Sequence, residues 1–217
     1  MARTVIRRKP GRPLKRPADP DRRTRILDIA TALFGRQGIA ATSMSAIARE
    51  ARITPALMHY YFGNRESLLD ALVGERLQPA IASVALRMES TQGDLRGLVH
   101  CFVESMIEVI SSRPWFPPLW VREVLSEGGL LRGRVIGKLG TPLVLKMRDQ
   151  FIDAQRRGEL NRDLDPRLLV VTLISLTLFP FASQSIWRDS LGAGDVTAAT
   201  ITRHALALLE RGLEIPR

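Results

Sequence analysis

Apolar residues recur at three- and four-residue intervals along most of this chain, the spacing of helices that bury one face. Ile26, Ile29, Ala30, Leu33 and Phe34 predict a first helix over about 21–37, which Gly38 ends in a left-handed turn. Met44, Ile47, Ala48 and Ala51 make a shorter stripe over about 42–51, capped by Thr42 or Ser43. Arg52 and Ile53 then turn the chain, with Ile53 plugging the angle between two helices. Thr54 caps a third helix, and Pro55 suits its first turn, where no backbone N–H is needed. Gly63 breaks the chain after about Tyr61, and Asn64 caps a long fourth helix that Pro79 should kink or end. Helical periodicity continues over about 94–112, 115–126, 141–158, 165–188 and 195–212, divided by Gly, Pro and Ser signals. No alternating strand pattern occurs, so the expected fold class is all-α.

Two short helices joined by a tight turn between Thr42 and Arg65 have the form of a helix-turn-helix DNA reader, but also of an ordinary helical hairpin. Charge separates these readings. Residues 1–65 hold 14 Lys and Arg against 4 Asp and Glu, whereas the other residues hold 18 of each. The whole net charge of +10 therefore sits on the segment that contains the helix pair. Packing gives no reason to segregate charge in this way, while a polyanionic partner does. Within residues 1–20, four prolines and many basic residues predict a disordered arm. Its Gly11-Arg12-Pro13 core resembles an AT-hook, which would lay Arg12 along a narrow A·T-rich minor groove. The plainer reading of the arm is a nonspecific solubilising tail.

The rest of the composition narrows the function. A chain of 217 residues suits one or two domains. A single cysteine, Cys101, rules out an intramolecular disulfide framework and fits a reducing cytoplasm. The basic, Pro-rich opening does not read as a signal peptide. Leu168–Trp187 lacks charge, but its apolar part falls short of the ~20 residues a membrane span needs, so we expect an interface helix there and no membrane partner. Enzyme readings fail on motif chemistry. His59, His100 and His204 are scattered without metal-ligand spacing, so neither a metal site nor a cofactor is expected. Gly133 and Gly137 before Lys138 suggest a phosphate loop, yet three residues separate the glycines and Leu139 stands where Ser or Thr is required. Asp163 and Asp165 flank a helix start, which capping explains.

The pair Leu33-Phe34 with Gly38, then Thr42, Ile47-Ala48 and Ala51, then His59 to Glu66 and Leu68-Leu69, resemble at fixed spacing the TetR family of bacterial regulators. The resemblance covers about residues 22–70. It implies a homodimer with two DNA-binding heads and a larger helical domain that holds an effector pocket and the dimer interface. The implied domains are a basic arm at 1–20, a helix-turn-helix head at 21–70 and an effector-binding and dimerisation domain at 71–217. It further implies that Thr42, through its hydroxyl, and Arg65 bind phosphates, while Thr54, Pro55, Ala56, Leu57, His59 and Tyr60 face the major groove. Three positions depart from the family pattern. Arg52 replaces the usual turn glycine, where a left-handed residue costs about 1–2 kcal/mol and remodelling is a possible response. His59 replaces a tyrosine, and Arg65 replaces a lysine.

The resemblance leads to a regulator of transcription, a repressor released by a small apolar or amphipathic effector and bound to a palindromic operator. No Arg, Lys, Asn or Gln lies in the third helix, so bidentate base readout falls to Arg52 or is absent. Phe102, Met106, Trp115, Phe116 and Trp120 are the candidate pocket residues. Leu169, Leu173, Leu176, Phe179, Leu206 and Leu209 are the candidate dimer residues. The competing functions are a nonspecific architectural binder of A·T-rich DNA and an interaction protein with a vestigial head.

Overall fold

The computed structural model describes residues 20–90, 94–136 and 141–213, and among them every regular element is a helix. The first four follow the apolar stripes: α1 (Pro20–Gln37), α2 (Met44–Glu50), α3 (Pro55–Phe62) and α4 (Arg65–Leu72). Ser43 caps α2 by accepting from the Ala46 N–H at 3.1 Å, so the helix starts two residues later than the outer limit of the expectation. Gly38 takes a φ of +85° and ends α1.

Pro79 does not end the fourth helix. A π-helical turn at Val73–Leu77 leads from α4 directly into α5 (Gln78–Ser90), and the Gln78 N–H reaches back five residues to the Val73 carbonyl. Pro79 has no N–H for the Glu75 carbonyl four residues before it, and that carbonyl accepts from the Arg76 guanidinium at 2.8 Å instead. Arg23 on α1 holds this turn through two bonds to Glu75, of 2.6 and 2.7 Å. The guanidinium keeps the Glu75 carboxyl below its ordinary pKa.

The larger part is built round α6 (Leu95–Ser111), which buries Leu98, Val99, Phe102, Val103, Ile107 and Ile110. The stretch expected at 115–126 is α7 (Phe116–Trp120) followed by a second π turn, Val121–Leu125. A single turn, α8 (Arg132–Val135), and then α9 (Thr141–Arg156) follow. The helix expected over 165–188 is two helices, α10 (Pro166–Ala182) and α11 (Gln184–Ser190), bent by 72° at Ser183. Pro180 removes one backbone donor near the end of α10, and Ser183 closes it with both its N–H and hydroxyl on the Phe179 carbonyl. Helix α12 (Ala198–Leu213) completes the bundle, in which α6 packs on α5, α10 and α12. Among the described residues no single helix is long and apolar enough to cross a membrane. One continuous apolar core joins the N-terminal helices to the rest, from Ile26 and Phe34 through Leu72 and Leu77 to Phe102 and Leu209.

Candidate nucleic-acid interface and apolar cavity

The turn between α2 and α3 forms without glycine. Arg52 adopts a φ of +53°, while the Ile53 N–H bonds the Ala48 carbonyl at 2.9 Å and the Arg52 N–H bonds the Arg49 carbonyl at 3.1 Å. This is the double bond pattern that closes a helix through a left-handed residue. The turn is therefore not remodelled; it keeps its usual shape and carries the strain. Thr54 caps α3 by accepting from the Leu57 N–H at 3.3 Å, and Pro55 occupies the first turn. Met58 and Phe62 are buried and lock α3 to the core, leaving Pro55, Ala56, His59 and Tyr60 on one exposed face. Leu57 is half-buried beside that face.

Three candidate contacts have partners inside the protein, one of them wholly and two in part. Thr42 is 0% exposed and its hydroxyl donates to the Gly38 carbonyl at 2.7 Å, so the expected phosphate contact through that hydroxyl is corrected. Arg65 donates to the carbonyls of Thr42, at 2.7 Å, and Ile39. Its guanidinium thus fastens α4 to the α1–α2 turn, and only its remaining donors are left for a phosphate. His59 holds the Gly63 carbonyl through Nδ1 at 2.6 Å, which leaves only Nε2 for a partner. Arg25 on α1, Arg49 on α2 and Arg52 in the turn are exposed. Arg12 and the AT-hook-like core lie outside the described residues.

A cavity of about 90 Å³ opens in the larger part, lined by Phe102 and Met106 from α6 and Phe116 and Trp120 from α7. The Phe116 and Trp120 rings stack 5.4 Å apart at 10°. Trp115 does not line it. Its Cβ packs on α1, where a Cβ added at Gly35 would lie 3.0 Å away, so the tryptophan is an interhelix wedge. Sequence reasoning missed the other walls, which include Ile81 and Val84 from α5, Leu143 from α9, and Ile174 and Leu178 from α10. These residues read as ordinary core positions because a cavity leaves no mark on helical periodicity.

The cavity wall continues into a clamp on the N-terminal helices. Glu123, in the π turn after α7, is 4% exposed. Its carboxylate accepts from the Ile39 N–H at 2.8 Å, in the α1–α2 turn, and from the Leu130 N–H at 3.2 Å. Gly129 lets the chain fold over it, since a Cβ there would fall 2.3 Å from the Glu123 carbonyl oxygen. Arg134 on α8 bonds Asp70 at 3.0 Å and also Glu66, both on α4. Asp70 is the main cause of its raised pKa. No sequence signal pointed to Glu123, an acid beside an arginine in a short apolar stretch.

On the outer side, α10 is apolar almost all round and only half covered. Leu169 and Leu173 on α10, and Leu209 on α12, are buried within the protomer, so their expected place at a dimer interface is corrected. Leu176 and Leu206 are half-buried, and Phe179 is 67% exposed. Leu168, Val171 and Leu208 are exposed as well. The 3.6-residue period located α10, but both sides of it are apolar, so periodicity did not tell which side faces out.

The sequence profile of the bacterial regulatory proteins of the tetR family matches residues 26–72, and that of the tetracyclin repressor-like C-terminal domain matches residues 97–209. The HTH-type transcriptional regulator UidR of Escherichia coli (strain K12) is 28% identical over 161 residues, 71% of this chain and 77% of that protein. The HTH-type transcriptional regulator BetI of Rhizobium meliloti (strain 1021) is 43% identical over 70 residues, 30% of this chain and 34% of BetI. The solved structure of the ketosteroid transcriptional regulator KstR2 of Mycobacterium tuberculosis matches with a TM-score of 0.74. It covers 91% of this chain and 97% of that one at 20% identity, a likeness of fold.

Proposed function

Because the chain belongs to the TetR family and is a DNA-binding transcriptional regulator, we propose that it is a homodimeric repressor released from a palindromic operator by a small apolar effector. The observation that carries this reading is the continuity of the segment 115–136, which walls the cavity with Phe116 and Trp120 and grips the head with Glu123 and Arg134. The exposed face of α3 enters the major groove, with Arg25, Arg49 and Arg52 drawn to phosphates. An effector seated against Phe116 and Trp120 displaces this segment, shifts the α1–α2 turn and α4, and changes the spacing of the two heads. The lining is apolar and aromatic throughout, so the buried part of the effector is an uncharged hydrocarbon group. KstR2, a relative by fold, carries ketosteroid in its name, which agrees with an apolar effector. The dimer forms through Leu168, Val171 and Phe179 of α10 with Leu208 of α12. The protein acts in the bacterial cytoplasm by binding alone, without catalysis or cofactor.

The test is selection of bound duplexes from a random DNA pool by the purified protein at near-physiological salt. We expect an enriched palindrome whose half-sites lie about one helical turn, or a multiple, apart. Enrichment of A·T-rich DNA without symmetry would replace this reading with an architectural one, which the relatives do not favour.

A further inference from the structure

We propose that His59 faces the DNA as a hydrogen-bond acceptor and selects a base bearing an amino group, cytosine or adenine, at one position of each half-site. The inference rests on the reading that α3 enters the major groove. A carbonyl oxygen only accepts, so the 2.6 Å contact between His59 Nδ1 and the Gly63 carbonyl places the proton on Nδ1. A neutral imidazole carries one N–H. With that proton committed, Nε2 presents a lone pair.

The commitment is built into the end of α3. Gly63 follows the last helical residue with a φ of +68°, so the chain reverses there, and its carbonyl accepts from the side chain four residues back. A β-carbon at this position would strain that φ. The histidine is exposed beside Ala56 and Tyr60, on the face left open by the buried Met58 and Phe62.

In the major groove the donors are the N4 amine of cytosine and the N6 amine of adenine, while guanine and thymine present acceptors at their edges. A lone pair on Nε2 therefore bonds the first two and is repelled by the others. It is repelled by phosphate oxygens as well, so neutral His59 is a base reader and not a backbone anchor. The neighbouring groups do not duplicate this choice. Pro55 and Ala56 have no polar side chain, and the Tyr60 hydroxyl both donates and accepts.

The experiment uses the operator obtained by selection, in mildly alkaline buffer. At the position whose preference is lost in His59→Phe, the selected base should be cytosine or adenine. Replacing it with the analogue that lacks only the exocyclic amine should weaken wild-type binding about threefold to tenfold, the worth of one neutral hydrogen bond. The same replacement should leave His59→Phe binding unchanged. Selection of guanine or thymine there, or an equal loss in both proteins, would overturn the proposal. Long-range proton–nitrogen NMR of the free full-length protein gives an independent reading that needs no variant: the proton should reside on Nδ1, and an Nε2-protonated ring would also overturn it. If neither Ala56→Glu nor His59→Phe alters DNA binding, the fault lies with α3 as the reader and the reading beneath the proposal falls with it.

Discussion

At the residue scale, two side chains do work that their types do not advertise. Arg52 holds a left-handed conformation that glycine adopts freely, and in return places a cation next to the recognition helix. Arg52→Gly should relieve strain and raise stability by up to about 1 kcal/mol, offset in part by the greater freedom of the unfolded chain. The same variant should bind DNA more weakly and with a salt dependence reduced by about one counterion, which melting curves and a salt titration will measure. A variant of unchanged salt slope would mean that Arg52 does not touch the backbone. Glu123 is the second case, a buried carboxylate that satisfies two backbone donors, one seven residues on at Leu130 and one 84 residues away at Ile39. In Glu123→Gln one side-chain oxygen becomes an amine that meets an N–H, so one bond is lost. We expect a cost of about 1–3 kcal/mol and faster amide exchange at Ile39 or Leu130. The strain at Arg52 is legible in the chain, where an arginine stands at a turn position that favours glycine, whereas Glu123 is not, because an acid beside an arginine reads as a solvated charge.

At the scale of elements, the periodicity of apolar residues located the helices and their caps closely, since capping is local chemistry. Thr54, Asn64 and Gly38 act where local rules put them. Pro55 follows these rules as well, but Pro79 and Pro180 behave differently from each other. Pro79 was absorbed by a π turn, whereas Pro180, near a chain end of α10, preceded a 72° bend. The turn before Pro79 is tied to α1 by Arg23 on Glu75 and Arg76 on Asp28, contacts between segments far apart in sequence that no local rule contains. Helix α10 also carries a second apolar side that the protomer leaves uncovered, with Leu168, Val171 and Phe179 exposed. Phe179→Asp places a charge on that side without touching the core. Sedimentation should then show a monomer at micromolar concentration with helix content retained, and affinity for a two-half-site operator should fall about tenfold or more as the second head loses its tether. A dimer that survives this change would move the interface elsewhere.

At the scale of the whole molecule, the core runs without interruption from the DNA-reading helices to the cavity. Coupling is reciprocal, so operator binding must be felt at the body if the body controls the operator. Hydrogen exchange on the operator complex should slow at Ile39, Leu130 and Leu131 as well as over α2 and α3. Protection confined to the head would show that residues 115–136 are not the route.

The separation between the levels follows from the range of the forces. Helix positions, caps, the all-α class and the basic head are set by neighbours within about four residues and by net charge, so they can be read along the chain. Which polar groups remain for DNA is decided between segments far apart in sequence. Thr42 looks like a phosphate ligand until the α1–α2 turn closes and uses its only donor, and the same turn takes part of the Arg65 guanidinium. Trp115 looks like a pocket residue until Gly35 is found against it, and Glu123 has no role until Ile39 arrives 84 residues away. A buried donor or acceptor must find a partner, and only the folded chain brings the partner within reach.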